Sequence, residues 1–235
     1  MLLHGAGMDL RVWRAVAPIL AQRHTVHAYD ARGLGHSPAP TTPFSDTADL
    51  GHVLGRFGLD DVALVGLSMG AETAVDYALT GSRRVSGLVL VNPGVAGHPW
   101  PDSPELAAYR AAQRAGRARE LAELELRLWA PLGTSGPDGA LISSIVWDNA
   151  ARRLAAPGLA VAADSALDRL ADLRGATLVV RGDQDRPEIT AMAATLADRL
   201  PSVTTEVLTG ADHFLPLRRP EAFADRVLSF LARRG

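Results

Sequence analysis

The chain has 235 residues, 47% of them hydrophobic, and a formal net charge of −2, values typical of a folded globular protein. A charge this close to zero gives no reason to expect nucleic acid or an anionic membrane as a partner. The chain has no cysteine and no lysine, which excludes disulfides, thiolate metal sites and lysine Schiff-base chemistry. The sequence shows no membrane-spanning stretch or signal peptide, so a cytoplasmic location is expected.

Short apolar strands alternate with helical segments along the chain. The predicted strands are Met1–Leu3, Thr25–Tyr29, Val62–Val65, Val85–Val91, Thr177–Arg181 and Thr204–Leu208. The predicted helices are Leu10–Gln22, Thr47–Phe57, Met69–Leu79, Thr190–Arg199 and Pro220–Ala232. The alternation predicts an α/β fold with a mainly parallel sheet, and continuously apolar strands indicate a sheet covered by helices on both faces.

The alternation breaks in the segment 96–157, which has proline-rich loops and helical patterns but no convincing strand. Leu121–Trp129 carries an apolar stripe typical of an amphipathic helix. Ligands of open α/β sheets bind at the carboxyl ends of the strands, so an insertion here is expected to cover that site. The predicted organisation is a core of residues 1–95 and 158–235 and a small helical lid of residues 96–157.

The pentapeptide Gly66-Leu67-Ser68-Met69-Gly70 directly follows the strand Val62–Val65. A strand that stops at G-x-S-x-G and continues as a helix forms a nucleophile elbow, which lifts the serine hydroxyl clear of the backbone. The alternative is an ordinary strand-to-helix turn with a surface serine, and the pattern alone does not separate the two.

Acidic residues and a histidine follow two later strands. Asp183 and Asp185 come after the strand Thr177–Arg181, and His213 comes after Thr204–Leu208. Because parallel strands end at the same edge of a sheet, these side chains are expected to converge with Ser68. A serine hydroxyl becomes a good nucleophile when an imidazole takes its proton and a carboxylate orients that imidazole.

A serine, an acid and a histidine in this chain order, with G-x-S-x-G around the serine, resemble the α/β-hydrolase family. The resemblance extends to the H-G turn in Leu2–Gly7, to the D-x-R-G-x-G-x-S segment Asp30–Ser37 and to Asn92-Pro93. It covers almost the whole chain except the lid. It implies that Ser68 is the nucleophile and that His213 is the general base and then the general acid.

The family's G-x-x-D pattern implies Asp185 as the acid that orients His213, with Asp183 as the alternative, a residue that caps its own loop. The resemblance also implies an oxyanion hole made by the backbone N–H groups of Ala6 and Met69. His4 is expected to brace its turn rather than to carry a proton.

The lid contributes candidate substrate-binding residues. Trp100, Trp129 and Trp147 are expected either to line an apolar acyl pocket or to pack the lid helices together. Arg152 or Arg153 is the candidate cation for an anionic lactone. The histidines lack metal-ligand spacing, so no metal site is expected.

A serine at the elbow argues against epoxide opening and halide displacement, which use an aspartate there. The expected reaction is the hydrolysis of a small carboxylic ester or lactone through an acyl-enzyme, without a cofactor and with no partner but the substrate. The lid resembles those of enol-lactone and small-ester hydrolases. Two alternative functions stay open, carbon–carbon bond hydrolysis of diketone-type substrates and non-catalytic ligand binding. The oligomeric state also stays open.

The N-terminus departs from the family pattern, in which two more strands precede the H-G turn. Their apparent absence predicts that Thr25–Tyr29 forms a bare sheet edge, which is an aggregation liability. A start inside a longer reading frame is the hypothesis that follows from this departure.

Overall fold

The computed structural model describes residues 1–81, 84–155 and 158–233. Within them, five parallel strands form a sheet in the order β1-β2-β3-β4-β5. The strands are β1 (Leu2–Leu3), β2 (Asp61–Leu67), β3 (Arg84–Val91), β4 (Thr177–Gly182) and β5 (Val203–Leu208). The parallel sheet confirms the predicted α/β fold class.

Helices connect the strands and cover the sheet. Two 3-10 helices span Leu10–Trp13 and Leu167–Asp172. The α-helices are α1 (Ala17–Leu20), α2 (Asp46–Arg56), α3 (Met69–Thr80), α4 (Pro104–Arg114), α5 (Ala118–Trp129), α6 (Gly136–Arg153), α7 (Pro187–Arg199), α8 (Leu215–Arg218) and α9 (Pro220–Ala232).

The central strands are buried on both faces, as their apolar sequences predict. In β3, Val89 and Val91 pack on the side of α1, α6 and α9. Leu88 and Leu90 point to the opposite side, where α2, α3 and α7 pack. Alternate residues of one strand therefore enter two separate clusters, which explains why the strand has no polar face.

Two predicted elements are wrong in extent. The predicted helix Leu10–Gln22 is interrupted between the first 3-10 helix and α1, because Pro18 lacks the N–H group that a continuous helix would need there. The predicted strand Thr25–Tyr29 is reduced to a single bridge between Ala28 and Leu2. The residues around Ala28 are only partly buried, so few apolar contacts hold them extended.

The edge strand β5 also departs from the expectation of continuously buried strands. Thr204, Thr205 and Val207 are exposed, and Leu208 is the strand's fully buried residue. Because β5 is an outer strand, its two faces are only partly covered: Leu208 enters one apolar cluster and Val203 packs against the other, so exposed residues occur on both faces.

Helices α4, α5 and α6 lie between β3 and β4, inside the segment predicted as a lid. The predicted lid end at residue 157 and the predicted core end at residue 235 lie outside the described residues. No helix among the described residues has both the length and the apolar character needed to cross a bilayer.

The register of the sheet brings three strand ends together. Leu67 at the end of β2 pairs with Val91 of β3, and Gly182 at the end of β4 pairs with Leu208 of β5. The loops that carry Ser68, Asp185 and His213 therefore leave the sheet at the same edge. This is the edge at which open parallel sheets bind their ligands.

Candidate active site

Ser68 lies in the sharp turn between β2 and α3, with φ of 54° and ψ of −113°. A non-glycine residue with positive φ is strained, and such strain is maintained only where the surroundings impose it. Gly66 and Gly70 allow the turn to close, because a Cβ on Gly66 would collide with the carbonyl group of Gly70. The turn has the backbone form of a nucleophile elbow.

Backbone hydrogen bonds fix Ser68 against the neighbouring strand end. Its N–H donates to the carbonyl oxygen of Val91 at 3.0 Å, and its own carbonyl oxygen accepts from Gly94 at 3.1 Å and from Ala71 at 2.9 Å. A Cβ on Gly94 would lie 3.1 Å from that same oxygen, so the approach is close. The half-buried serine is therefore held by main-chain contacts from both sides.

Asp185 and His213 form a buried pair. His213 Nδ1 lies 2.7 Å from Asp185 Oδ2, and the two side chains are 3% and 1% exposed. The other carboxylate oxygen of Asp185 accepts from the backbone N–H of Arg186 at 2.8 Å. This arrangement fixes the imidazole with Nδ1 toward the carboxylate, which leaves Nε2 as the nitrogen able to accept a proton.

Asp183 occupies a different position from Asp185. Its Oδ1 accepts from the backbone N–H groups of Gly210 at 2.7 Å and Ala211 at 3.3 Å. These bonds tie the end of β4 to the loop that carries His213, a neighbouring loop and not the one that Asp183 was expected to cap. The geometry thus gives the two carboxylates separate tasks.

No hydrogen bond joins the Ser68 hydroxyl to His213 within the described residues, so the structure brings together two of the three predicted catalytic side chains by direct contact. The hydroxyl is a free rotor, and catalytic hydrogen bonds are often long without substrate.

The H-G turn packs directly against the serine. A Cβ on Gly5 would lie 3.3 Å from Ser68 Cβ, and a Cβ on Gly70 would collide with the carbonyl oxygen of Leu3. The backbone N–H groups of Ala6 and Met69, the two predicted oxyanion donors, donate to no acceptor within the described chain. Met69 is also the first residue of α3, where the helix dipole favours negative charge.

Both ring nitrogens of His4 are occupied. Nδ1 lies 2.9 Å from the carbonyl oxygen of Gly5, and Nε2 accepts from the backbone N–H of Ala31 at 2.8 Å. The second bond requires a neutral ring, and burial lowers the pKa of His4 below its usual range. This geometry matches the expected bracing role.

Asn92 is a structural residue of the site. The only sequence signal for it is the resemblance of Asn92-Pro93 to the family pattern, and no role was predicted for it. Its Nδ2 donates to the carbonyl oxygens of Asp212 and His213, both at 3.1 Å, and its Oδ1 accepts from Gly182 N–H at 2.9 Å. Asn92 is fully buried with a φ of 40°. It therefore links the end of β3 to the loops that carry both Asp185 and His213.

Of the predicted lid residues, Trp129 lies against the Asp185–His213 pair. Its ring centroid is 4.5 Å from that of His213, and the guanidinium of Arg186 lies 5.7 Å from its centroid. Trp100 contacts the Trp129 ring edge-on at 6.1 Å. The two indoles form an aromatic wall beside the imidazole.

Trp147 and Arg152 lie elsewhere. Trp147 is 40% exposed, and no described ring contact joins it to Asp185 or His213. Arg152 lines a cavity of about 350 Å³ that also contacts Arg32, Phe44 and Arg114, and none of Ser68, Asp185 and His213 lines that cavity. Their role in substrate binding stays a prediction without a supporting contact.

Arg153, the other candidate cation, is paired with side chains of α4 and α5. It donates to both carboxylate oxygens of the buried Glu125, at 3.0 and 3.3 Å, and to the hydroxyl of Tyr109. Burial raises the pKa of Glu125, and Arg153 opposes that rise. The Glu125 carboxylate leaves no space for a Cβ on Gly7, so α5 contacts the H-G turn at this point.

The described residues contain no group of three or more metal-ligating side chains that could hold an ion.

Comparison with known proteins decides the family. A family model described as the alpha/beta hydrolase family matches residues 1–226. The chain belongs to this family. The resemblance inferred from the residues is thereby confirmed, and the departure at the N-terminus does not prevent the match from beginning at residue 1.

Individual relatives match this chain over nearly its whole length. Pimeloyl-[acyl-carrier protein] methyl ester esterase of Aeromonas hydrophila is 29% identical over 98% of this chain and 94% of its own length. An enzyme described as degrading N-acyl homoserine lactone is 28% identical, with a TM-score of 0.80 over 97% of this chain and 91% of the other. The enol-lactonase from Burkholderia xenovorans LB400 is 24% identical, with a TM-score of 0.80 over 98% of this chain and 90% of the other. This similarity concerns the fold alone.

Proposed function

We propose that this α/β-hydrolase hydrolyses a small carboxylic ester through an acyl-enzyme formed on Ser68. The observation that carries the proposal is the buried Asp185–His213 pair, which emerges at the same sheet edge as the strained Ser68 turn. The strain of the turn and the burial of the pair both have a cost, which a surface serine and a packing histidine would not require.

In the proposed mechanism, Ser68 Oγ attacks the ester carbonyl carbon while His213 Nε2 takes the hydroxyl proton. Asp185 keeps the Nδ1 proton in place and stabilises the imidazolium that forms. The carbonyl oxygen becomes an oxyanion that the N–H groups of Ala6 and Met69 stabilise, each contributing about 10²–10³ in rate.

Collapse of this intermediate expels the alcohol, which receives its proton from His213. A water molecule then attacks the acyl-enzyme, His213 takes its proton, and the acid leaves as Ser68 regains its hydrogen. Protons and bonds balance over the two half-reactions, so no cofactor or metal is needed.

An ester is favoured as substrate because the curated relative that spans nearly the whole chain is named a methyl ester esterase. A lactone is the second candidate, since a solved relative of comparable identity is described as degrading a lactone. The same triad opens a cyclic ester by the same steps, with the alcohol kept on the acyl group.

The segment 96–157 is proposed to act as the lid over this site. The contact between Trp129 and His213 supports it, since a lid residue reaches the catalytic pair directly. Trp129 is the best-placed wall of an acyl pocket, while Trp147 and Arg152 would have to reach the substrate from farther away. A cytoplasmic location remains a prediction.

The test is hydrolysis of p-nitrophenyl acetate by the wild type, by Ser68→Ala and by the control Ser144→Ala, which changes an exposed serine on α6. We expect Ser68→Ala to lose about 10⁴-fold or more in kcat with an unchanged circular dichroism spectrum, and Ser144→Ala to stay near wild type. A serine-directed sulfonyl fluoride should modify the wild type at Ser68.

Equal turnover by the wild type and Ser68→Ala would contradict the mechanism. Absence of turnover and of labelling in the wild type would favour the non-catalytic alternative. A panel of p-nitrophenyl esters and lactones, compared by kcat/KM, then separates the two substrate classes.

A further inference from the structure

Asp212, the residue directly before His213, is fully buried and charged. It forms an ion pair with Arg218, whose Nη2 lies 2.8 Å from Asp212 Oδ2 and whose side chain is 11% exposed. The carboxylate also accepts from the backbone N–H of Phe214 at 3.1 Å. A buried charge pair of this kind adds little net stability over an apolar pair, so its presence calls for another reason.

The pair binds the connection between α5 and α6 at two points. Asp212 Oδ2 accepts from the backbone N–H of Leu132 at 3.3 Å, and Arg218 Nη2 donates to the carbonyl oxygen of Gly133 at 2.6 Å. These four residues are called the lid clamp below. Its two charged members flank the catalytic histidine in sequence, and its other two belong to the lid.

The clamp lies close to the residue that contacts His213. Helix α5 ends at Trp129, three residues before Leu132, and the Trp129 ring packs on the imidazole at 4.5 Å. Since Leu132 is anchored to the neighbour of His213, the position of the indole relative to the imidazole is set over a short path. If Leu132 were anchored to a distant part of the core instead, the indole would have more freedom to move relative to the imidazole.

The core holds the same loop independently of the lid. Asn92 binds the carbonyl oxygens of both Asp212 and His213 from the end of β3, and Asp185 binds the imidazole. The backbone of the histidine loop therefore keeps these contacts when the lid clamp is removed. Loss of the clamp should free the lid while the catalytic pair stays in place.

We propose that Asp212 and Arg218 are positioning residues that fix the α5–α6 connection on the histidine loop and thereby hold Trp129 against His213. The proposal rests on the proposed function, because it takes His213 as the general base. It assigns these two residues the placement of the aromatic wall, and no proton transfer or substrate contact.

The first test uses tryptophan emission. An indole that packs on another ring is shielded from added quenchers, so acrylamide should quench the Trp129 emission only weakly while the indole lies on His213. The signal is isolated by subtracting the emission of a Trp129→Phe counterpart from that of each protein over an acrylamide series at one pH. We expect a weakly quenched Trp129 component in the wild type and a Stern–Volmer constant about threefold or more higher in Asp212→Asn, since the indole moves away.

Arg218→Lys is the second variant, because it keeps the charge beside Asp212 and loses the planar fork that also reaches Gly133. It should raise the Stern–Volmer constant by about twofold even where Asp212→Asn fails to fold. The control Arg119→Gln removes an exposed ion pair with Glu123 on α5, the helix that carries Trp129, and should leave the constant unchanged.

A kinetic comparison separates positioning from a general structural effect. In the clamp variants, kcat for p-nitrophenyl acetate should stay within about threefold of wild type, while KM for p-nitrophenyl hexanoate rises about fivefold or more. A wild type whose Trp129 is quenched as readily as free tryptophan, or clamp variants with unchanged quenching and KM, would overturn the proposal. A wild type with a shielded Trp129 that hydrolyses no ester would overturn the proposed function and leave the clamp standing.

Discussion

The strand-end turns and the predicted lid (helices α4, α5 and α6) are held in different ways. In the turns, main-chain contacts dominate, such as the bond from Ser68 N–H to Val91 and the close approach of Gly70 to Leu3. In the predicted lid, side chains make the main contacts: Glu125–Arg153 joins α5 to α6, and the pair Asp212–Arg218 binds the α5–α6 connection from the histidine loop and α8.

The two regions are therefore sensitive to different kinds of substitution. A turn built on glycines and backbone bonds has no space for an added Cβ, whatever its chemistry. A contact built on buried charges depends on both partners, and the loss of one leaves the other without compensation.

The largest effect is expected in the strand-end turns, where substitution of the two carboxylates after β4 should have very different consequences for kcat. Asp185→Asn should reduce kcat for p-nitrophenyl acetate by about 10³–10⁴-fold, since the amide favours the wrong imidazole tautomer. Asp183→Asn removes only a capping charge and should cost less than about tenfold. Steady-state kinetics on the two purified variants measures both, and the reverse order would reassign the acid.

The next effect tests the lid. Arg153→Met leaves Glu125 buried without its cation and should destabilise the fold by about 3–5 kcal/mol. The exposed pair on α5 is the matched comparison, so Arg119→Gln should cost less than about 0.5 kcal/mol. Urea unfolding followed by circular dichroism gives both values. Equal costs would mean that the buried pair is not what holds the lid helices together.

Glycine substitutions compare the regions directly. Gly70→Ala should cost about 3 kcal/mol or more, because its Cβ meets the backbone of Leu3 and His4. In the lid, Gly116 has a φ of 69° and no atom near its Cβ position, so Gly116→Ala should cost only about 1 kcal/mol. Thermal and urea unfolding measure the difference, and a smaller cost for Gly70→Ala would contradict the close packing of the elbow.

The smallest effect depends on pH. Burial, with Asp76 and Asp46, raises the pKa of Glu72 on α3 to about 7, and its carboxylate has no hydrogen-bond or ion-pair partner among the described residues. The folded state therefore binds this proton more tightly than the unfolded chain, so stability falls as pH rises from about 4.5 to about 7.

Glu72→Gln removes this dependence. The variant should gain about 1–3 kcal/mol over wild type at pH 8 and almost nothing at pH 4.5. Urea unfolding at the two pH values measures the gain. A gain of the same size at both would show that the effect is not the ionisation of Glu72.

Features that depend on local backbone geometry are the ones that the sequence predicts best. The elbow, the strand ends and the family could all be predicted, because G-x-S-x-G, G-x-x-D and the H-G turn encode local conformations in short segments. The choice of Asp185 over Asp183 also followed from a local pattern, and the contact with His213 supports that choice.

The sequence by itself thus determined the α/β fold, the family and the order of Ser68, Asp185 and His213, since each rests on neighbours in the chain. Only the tertiary structure decided which lid residues reach them. Leu132 and Asp212 are 80 positions apart, and Glu125 and Arg153 are 28 apart on different helices. No local sequence pattern predicts such pairs, because packing between helices decides which side chains meet.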